Sequence, residues 1–253
     1  MFKNAREVAA AYVRKYKPTL FDSEIGARLP IEYRKFYDEW KNTTPEPVHY
    51  IPEKGTWRKD EETGKMKRIE NIPLPAFHSK ELDNILTGGE KIIFGYIQKK
   101  KTGFEVPKFW IPFIYKSVVY SEILNKYISV HMTKRVIELI HKHRGFDSYL
   151  LETRACDLGT LLALRLKRKL LFALNDKNLP YDEAKNCKVY EKYKKYCMPP
   201  EELEWYGLSF QEACRKQIEI EKAKQREATI PLKYLFRSQL IEDLKAKGIN
   251  TNN

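Results

Sequence analysis

Apolar and polar residues change their period several times along the chain, and each change marks an element. Between Ser117 and Met132 they alternate with period two around a short polar turn placed at Asn125-Lys126, which predicts two antiparallel strands. In the second strand Ile128, Val130 and Met132 share one face, expected toward a core. Tyr127, Ser129 and His131 share the other, polar and aromatic, face. The period then lengthens to that of a helix. Thr133 stands where an N-cap belongs, and Val136, Ile137, Leu139 and Ile140 form an apolar stripe. His141-Lys142-His143-Arg144 fill the last turn, and Gly145 is expected at the C′ position. Residues 108–145 thus read as a hairpin followed by a helix, and the remaining elements read as additions to that unit.

Upstream, residues 4–16 read as a helix stopped by Pro18, and residues 30–41 as a second, with Tyr33, Phe36, Tyr37 and Trp40 on one side. Residues 42–57 contain Pro45, Pro47 and Pro52 and are expected to be extended chain. Residues 58–68 read as a charged turn centred on Thr63-Gly64, residues 69–90 as irregular, and 91–98 as a strand. Downstream, a helix is expected from Asp157 to Asn175, with Leu158, Leu161, Leu162, Leu166, Leu170, Leu171 and Leu174 inward. Another follows over 181–197, stopped by Pro199-Pro200. Ser209 with Glu212 makes a capping box opening a helix to about Ala228, and Leu232 to Leu244 mark a last amphipathic helix. The fold class is α+β: a small antiparallel sheet or hairpin plus helix as core, with helical N- and C-terminal extensions. The expected division is 1–90 as N-terminal extension, 91–155 as a basic ββα core, and 156–253 as a helical C-terminal extension.

Charge sharpens this division. Of the net +13, residues 91–170 carry 16 Lys/Arg against 6 Asp/Glu, while the rest of the chain carries 31 against 28. A localised basic field with near-neutral flanks is the footprint of a polyanion-binding surface, although an ordinary basic protein would share the total. The candidate RNA-contacting residues are Lys99, Lys100, Lys101, Lys108, Lys116, Lys126, Lys134, Arg135, Lys142, His143 and Arg144, with Trp110, Tyr127 and His131 beside them. Arg165, Lys167, Arg168 and Lys169 add a basic flank to the helix that follows, which equally fits a solvated face. Cations beside aromatic rings suit unpaired nucleotides, since rings stack on bases while cations meet phosphates. Taken singly, Phe109, Trp110 and Phe113 fit better as core residues under the helix.

Other chemistries lack their residues. Cys156, Cys187, Cys197 and Cys214 form no C-x-x-C pair and read as separate reduced thiols, so neither a zinc site nor a disulfide framework is expected. No glycine pattern for cradling phosphate occurs around Gly88-Gly89. His49 is a lone histidine, and Glu201, Glu202 and Glu204 sit in a helix first turn where acids favour the dipole. Neither has a partner base or nucleophile, so no catalytic residue and no cofactor is expected. No apolar run approaches the roughly 20 residues of a membrane span. The first twenty residues carry five Lys/Arg against Glu7, which resembles a basic import segment and fits a surface helix as well.

The run from Lys108 to Thr153 resembles the core of the bacterial-type large-subunit ribosomal protein twenty-eight family. The shared order is Lys108 to Pro112, the strand pair over Ser117 to Met132, and Thr133-Lys134-Arg135 opening a helix. RLPIEYRKF at 28–36, TPEPVHYIP at 44–52 and EELEWYGLSFQEA at 201–213 are similar to the mitochondrial form of that family; the resemblance covers about residues 25–245. It implies a structural constituent of the large subunit in the mitochondrial matrix, with rRNA and neighbouring mitochondrial ribosomal proteins as partners and no chemistry of its own. A cysteine-rich metal site found in some bacterial members has no counterpart here. The competing reading is a stand-alone adaptor that binds proteins through the helical C-terminal half.

Overall fold

The structure is a computed structural model that describes residues 20–61, 64–72, 74–99, 103–176, 180, 183–229 and 231–247. The helix expected over 4–16, the basic start of the chain, and Lys100 and Lys101 lie outside the described residues. The chain divides into two compact units, residues 31–209 and the remainder.

The larger unit opens with α1, Ile31–Tyr37, whose Tyr33 and Phe36 are buried, followed by one wide turn that buries Trp40. Strands β1 (Trp57–Lys59) and β2 (Met66–Arg68) form a two-stranded ribbon where only a charged turn was expected. Strands β3 (Ala76–Phe77), β4 (Ile92–Gln98) and β5 (Glu105–Trp110) make a three-stranded antiparallel sheet. Strands β6 (Ile114–Ser121) and β7 (Lys126–Thr133) form a hairpin. Its loop is Glu122–Asn125, earlier than the expected Asn125-Lys126 turn, and Asn125 takes the left-handed conformation at φ 48°. The face assignment of β7 holds: Val130 and Met132 are buried and Ile128 half-buried, while Tyr127, Ser129 and His131 are exposed.

Helices α2 (Lys134–Lys142), α3 (Phe146–Glu152), α4 (Ala155–Leu158), α5 (Leu161–Asn175), α6 (Glu183–Tyr193) and α7 (Pro200–Trp205) complete this unit. Thr133 occupies the N-cap of α2 with extended backbone, but its hydroxyl donates to the Thr87 carbonyl in the segment that runs beside the end of β7. The end of α2 differs from expectation by one residue. Arg144, at φ 56°, is the left-handed C′ residue, and Gly145 follows it. The N–H of Gly145 reaches the Ile140 carbonyl and that of Arg144 the His141 carbonyl, the two bonds of a Schellman end. The helix expected from Asp157 starts only at Leu161, because Gly159 turns left-handed at φ 69° and Thr160 is extended.

The core lies among α1, α3, α5 and α7, where Leu150, Leu158, Leu164, Leu170, Leu171 and Leu174 are within 1% of full burial. Phe36 packs on Tyr206 with ring centroids 4.7 Å apart, and Tyr33 meets Trp205 edge-on at 6.4 Å. Gly207 is needed beside them: at φ 68°, a Cβ there would stand 2.9 Å from the Leu164 carbonyl oxygen. The Trp205-Tyr206-Gly207 run is therefore a packing motif. The proline-rich segment is pinned rather than loose. Glu46 N–H donates to Asp157, His49 Nε2 accepts the Lys91 N–H at 2.8 Å, and Tyr50 donates to Asn71. The lone histidine thus has a structural partner at the entrance to β4.

The second unit contains the short helical turns Leu20–Asp22 and Gly26–Arg28 with α8 (Phe210–Ala228) and α9 (Leu232–Ala246). Phe21 meets Phe210 edge-on and Arg28 pairs with Glu221 at 2.9 Å. The final helix α9 buries none of its residues; Leu232, Tyr234, Phe236 and Leu240 are each more than half exposed.

Candidate nucleic-acid interface

Strand pairing decides which side chains share a face. In β6–β7, Lys116 lies opposite His131, Val118 opposite Ser129 and Tyr120 opposite Tyr127, and all six are exposed. Tyr120 and Tyr127 stack obliquely at 5.0 Å, and the Tyr120 hydroxyl donates to Asn125 in the loop. The outward face of the hairpin therefore offers two phenol rings, a serine, a valine, an imidazole and a lysine.

The neighbouring sheet is unusual in leaving apolar side chains exposed on both faces. Trp110 sits opposite Ile93, two pairs along from Lys108 opposite Gly95 and so on the same face. A Cβ on Gly95 would lie 2.9 Å from the Trp110 ring, so glycine lets the indole lie across β4. Lys108 Nζ is 5.6 Å from that ring's centroid, a cation held over an aromatic face. The opposite face carries Phe77, Phe94, Tyr96 and Phe109, with Phe109 5.0 Å from Phe94 and 6.0 Å from Phe77. Phe113 meets Tyr115 at 4.7 Å just beyond the strand. Phe109, Trp110 and Phe113, each favoured as a core residue on sequence grounds, are 53%, 41% and 72% exposed. The core is filled from the helices instead.

Acids are almost absent from this surface. Between residues 91 and 137 there are nine Lys/Arg and only Glu105 and Glu122. Glu122 is taken up internally: Lys192 Nζ reaches it at 2.6 Å and the Tyr193 hydroxyl at 2.8 Å. The hairpin loop is also tied to α3 by buried Asp147, whose Oδ2 accepts from Ser121 Oγ and the Ile123 N–H. Burial drives the Asp147 carboxyl above its ordinary range, against those two bonds. The loop that presents Tyr120 and Tyr127 is thereby fixed from behind.

The candidate cations are not equivalent. Lys99, Lys108, Lys116, Lys126, Lys142 and Arg144 are exposed. Lys134 lies 3.7 Å from Glu138, and Arg135 donates from Nε to the Gly88 carbonyl. His143 is held by Glu152 at 2.6 Å, and the Tyr196 and His143 hydrogen bonds keep that carboxyl below its usual range. A cleft of about 250 Å³ beside His143 is lined by Arg135, Lys142 and Arg154 and equally by Glu46, Glu152 and Asp157, so its formal charges balance. On α5, Arg165 and Lys169 are exposed and Arg168 donates to the Glu204 carbonyl. Lys167 is a correction to the expected basic flank. It is buried, its Nζ donates to the Leu151 and Thr153 carbonyls, and burial pulls its pKa down to about 8. That ammonium closes the end of α3 and is not available to a ligand.

The ribbon β1–β2, with Trp57, Arg58, Lys59, Lys67 and Arg68, was missed as a structured basic element because its acids mask it in a running charge count. No group of three metal-ligating side chains occurs among the described residues, and no helix among them is long and apolar enough to cross a membrane.

No protein-family model matches the chain. Individual proteins do. The chain is 43% identical to large ribosomal subunit protein bL28m of Drosophila melanogaster, over 92% of this chain and 78% of that protein. It is 35% identical to the bL28m of Xenopus laevis, covering 94% of this chain and 95% of the relative. With the bL28m of Bos taurus the identity is 33%, over 89% and 88%. At these identities, spanning both the sheets and the helical body, the chain belongs to the mitochondrial large ribosomal subunit protein bL28m family.

Proposed function

We propose that this protein is a structural constituent of the mitochondrial large ribosomal subunit, in the mitochondrial matrix, that binds rRNA through residues 91–155. The single observation that carries this reading is the exposed lysine-and-aromatic surface of β4–β7, whose acid at Glu122 is neutralised from behind. Lys99, Lys108, Lys116, Lys126, Lys142 and Arg144 meet phosphates, and Lys100 and Lys101 extend that series. Trp110 and Tyr127 stack on unpaired bases, and His131 adds a hydrogen-bonding edge on the same face as Tyr127. Arg165 and Lys169 add phosphate contacts from α5. Lys134, Arg135, His143 and Arg168 act mainly by holding the framework, since each has a partner within the chain. The segments 1–90 and 156–253 serve as extensions toward neighbouring ribosomal proteins, consistent with the bare apolar face of α9. The protein works by position and charge and performs no catalysis. Binding of the purified chain to large-subunit rRNA across a salt series tests this: affinity falls steeply with salt if phosphates are neutralised, and stays flat if the sheets serve a protein adaptor instead.

A further inference from the structure

The ribbon β1–β2 sorts its charges by face. Its register sets Trp57 opposite Arg68, Arg58 opposite Lys67 and Lys59 opposite Met66. Directly opposed residues in an antiparallel pair point the same way, and successive residues alternate. Trp57, Lys59, Met66 and Arg68 therefore share one face, and Arg58 and Lys67 share the other. The ion pairs seen among the described residues of the ribbon lie on the second face: Arg58 pairs with Glu53 at 3.0 Å and Lys67 pairs with Asp60. On the first face Trp57 is 58% and Met66 61% exposed, and Lys59 and Arg68 are exposed as well. Residues 53–68 contain six Lys/Arg against four acids, so the segment looks nearly neutral while the strand residues of one face are two cations, a tryptophan and a methionine.

The base of the ribbon is anchored. Asn71 donates from Nδ2 to the Glu53 carbonyl and accepts from the Glu53 N–H and the Tyr50 hydroxyl. Ile69 N–H bonds the Thr56 carbonyl at 3.0 Å, continuing the ladder below Trp57. The tip closes through Asp60 N–H to the Lys65 carbonyl and Gly64 N–H to the Asp60 carbonyl, with Gly64 at φ 66°. A two-stranded ribbon anchored at its root, with every strand residue exposed, has no core role that would explain an outward tryptophan beside two cations.

We infer that the Trp57–Lys59–Met66–Arg68 face is a second RNA contact, in which an unpaired rRNA base stacks on Trp57 while Lys59 and Arg68 bind the flanking phosphates. The occupant is RNA rather than an acidic protein segment because the exposed ring is flanked by two cations, Arg68 directly opposite it and Lys59 two residues along the same face. That spacing suits a strand in which every phosphate is followed by a base. The inference rests on the rRNA-binding reading above, but engages a different segment of the chain.

The test uses the full chain and an in vitro transcript of the large-subunit rRNA, with affinity measured across a salt series. Trp57→Ala weakens binding by roughly tenfold or more. Lys59→Gln with Arg68→Gln lowers the slope of log affinity against log salt by about 0.7 per lost phosphate contact. Arg58→Gln with Lys67→Gln, on the acid-paired face, changes neither quantity appreciably. Thermal melting of each variant confirms that folding is intact. If the wild type binds, the core variant Lys108→Gln/Lys116→Gln weakens binding, and the ribbon variants bind like wild type, the ribbon inference is overturned while the core reading stands. If the ribbon variants bind RNA normally but fail to enter assembled particles, the face contacts protein and the inference is likewise overturned. If the wild type shows no salt-dependent binding, the core reading itself fails.

Discussion

Two regions of this chain spend the same residue types in opposite ways. In the helical body, Tyr33, Phe36, Tyr149, Tyr193, Trp205 and Tyr206 are all at least 93% buried. In the sheets, Phe109, Trp110, Phe113, Tyr115 and Tyr127 are between 41% and 77% exposed. The difference follows from geometry. An aromatic stripe at helical spacing can be covered by one neighbouring helix, as α7 covers α1. The β3–β5 sheet has apolar side chains exposed on both faces, and no helix among the described residues shields them. Rings left in water on an anchored strand, beside lysines and almost without acids, are what the proposed rRNA contact requires, since RNA brings flat bases and negative charge. Burial rather than residue type thus separates the framework from the interface.

The largest effect expected from this contrast lies in the body. Phe36→Ala removes a ring packed against Tyr206 and costs about 3–5 kcal/mol in denaturant unfolding, whereas Phe109→Ala costs less than about 1 kcal/mol. Equal losses at both positions would break the comparison. Next comes Lys167. Its proton is held less tightly in the folded chain than in the unfolded one, so the unfolded state binds more protons between pH about 8 and 10.5. Stability of the wild type therefore rises with pH across that window relative to Lys167→Met, by up to about 3 kcal/mol. A pH-independent difference between the two proteins would show that Lys167 is solvated like its exposed neighbours.

Smaller effects test the surface. Trp110→Ala should leave the melting temperature nearly unchanged but weaken RNA binding by about 1–3 kcal/mol, measured by titration at fixed salt. Arg144 gives the subtlest case, because it occupies a left-handed position that glycine fills with less strain. Arg144→Gly should stabilise the fold by about 0.5–1 kcal/mol while reducing RNA affinity. A loss of stability with unchanged RNA affinity would mean that the arginine is kept for stability and not for its charge.

Much of this arrangement was legible in the sequence. Period-two alternation gave the correct faces of β7, because register and burial of Val130 and Met132 reinforce one another. The capping box at Ser209 and Glu212 and the prolines at 199, 200 and 231 bounded α7, α8 and α9 well. The misses have physical causes. Gly145 follows the left-handed residue rather than filling that place, because the arginine before it takes the strained conformation. Lys167 looked like its neighbours because a helical wheel does not show that two carbonyls at the end of α3 wait beneath it. Phe109, Trp110 and Phe113 were assigned inward because exposed aromatics are uncommon, and only the three-dimensional structure shows that no helix among the described residues covers them. The ribbon escaped notice because cations and acids alternate along the chain but separate across its register.

The measurement that bears most directly on the central claim is the salt dependence of rRNA binding by the wild type and by Lys108→Gln/Lys116→Gln/Lys126→Gln. The ten Lys and Arg assigned to phosphates between Lys99 and Lys169 predict a slope of log affinity against log salt near −7 to −9, on the order of 0.7–0.9 per phosphate neutralised. The triple variant should lower its magnitude by about 2–3 with no change in melting temperature. A triple variant with the wild-type slope would contradict the account, since the exposed sheet lysines would then not be the groups that meet the phosphates.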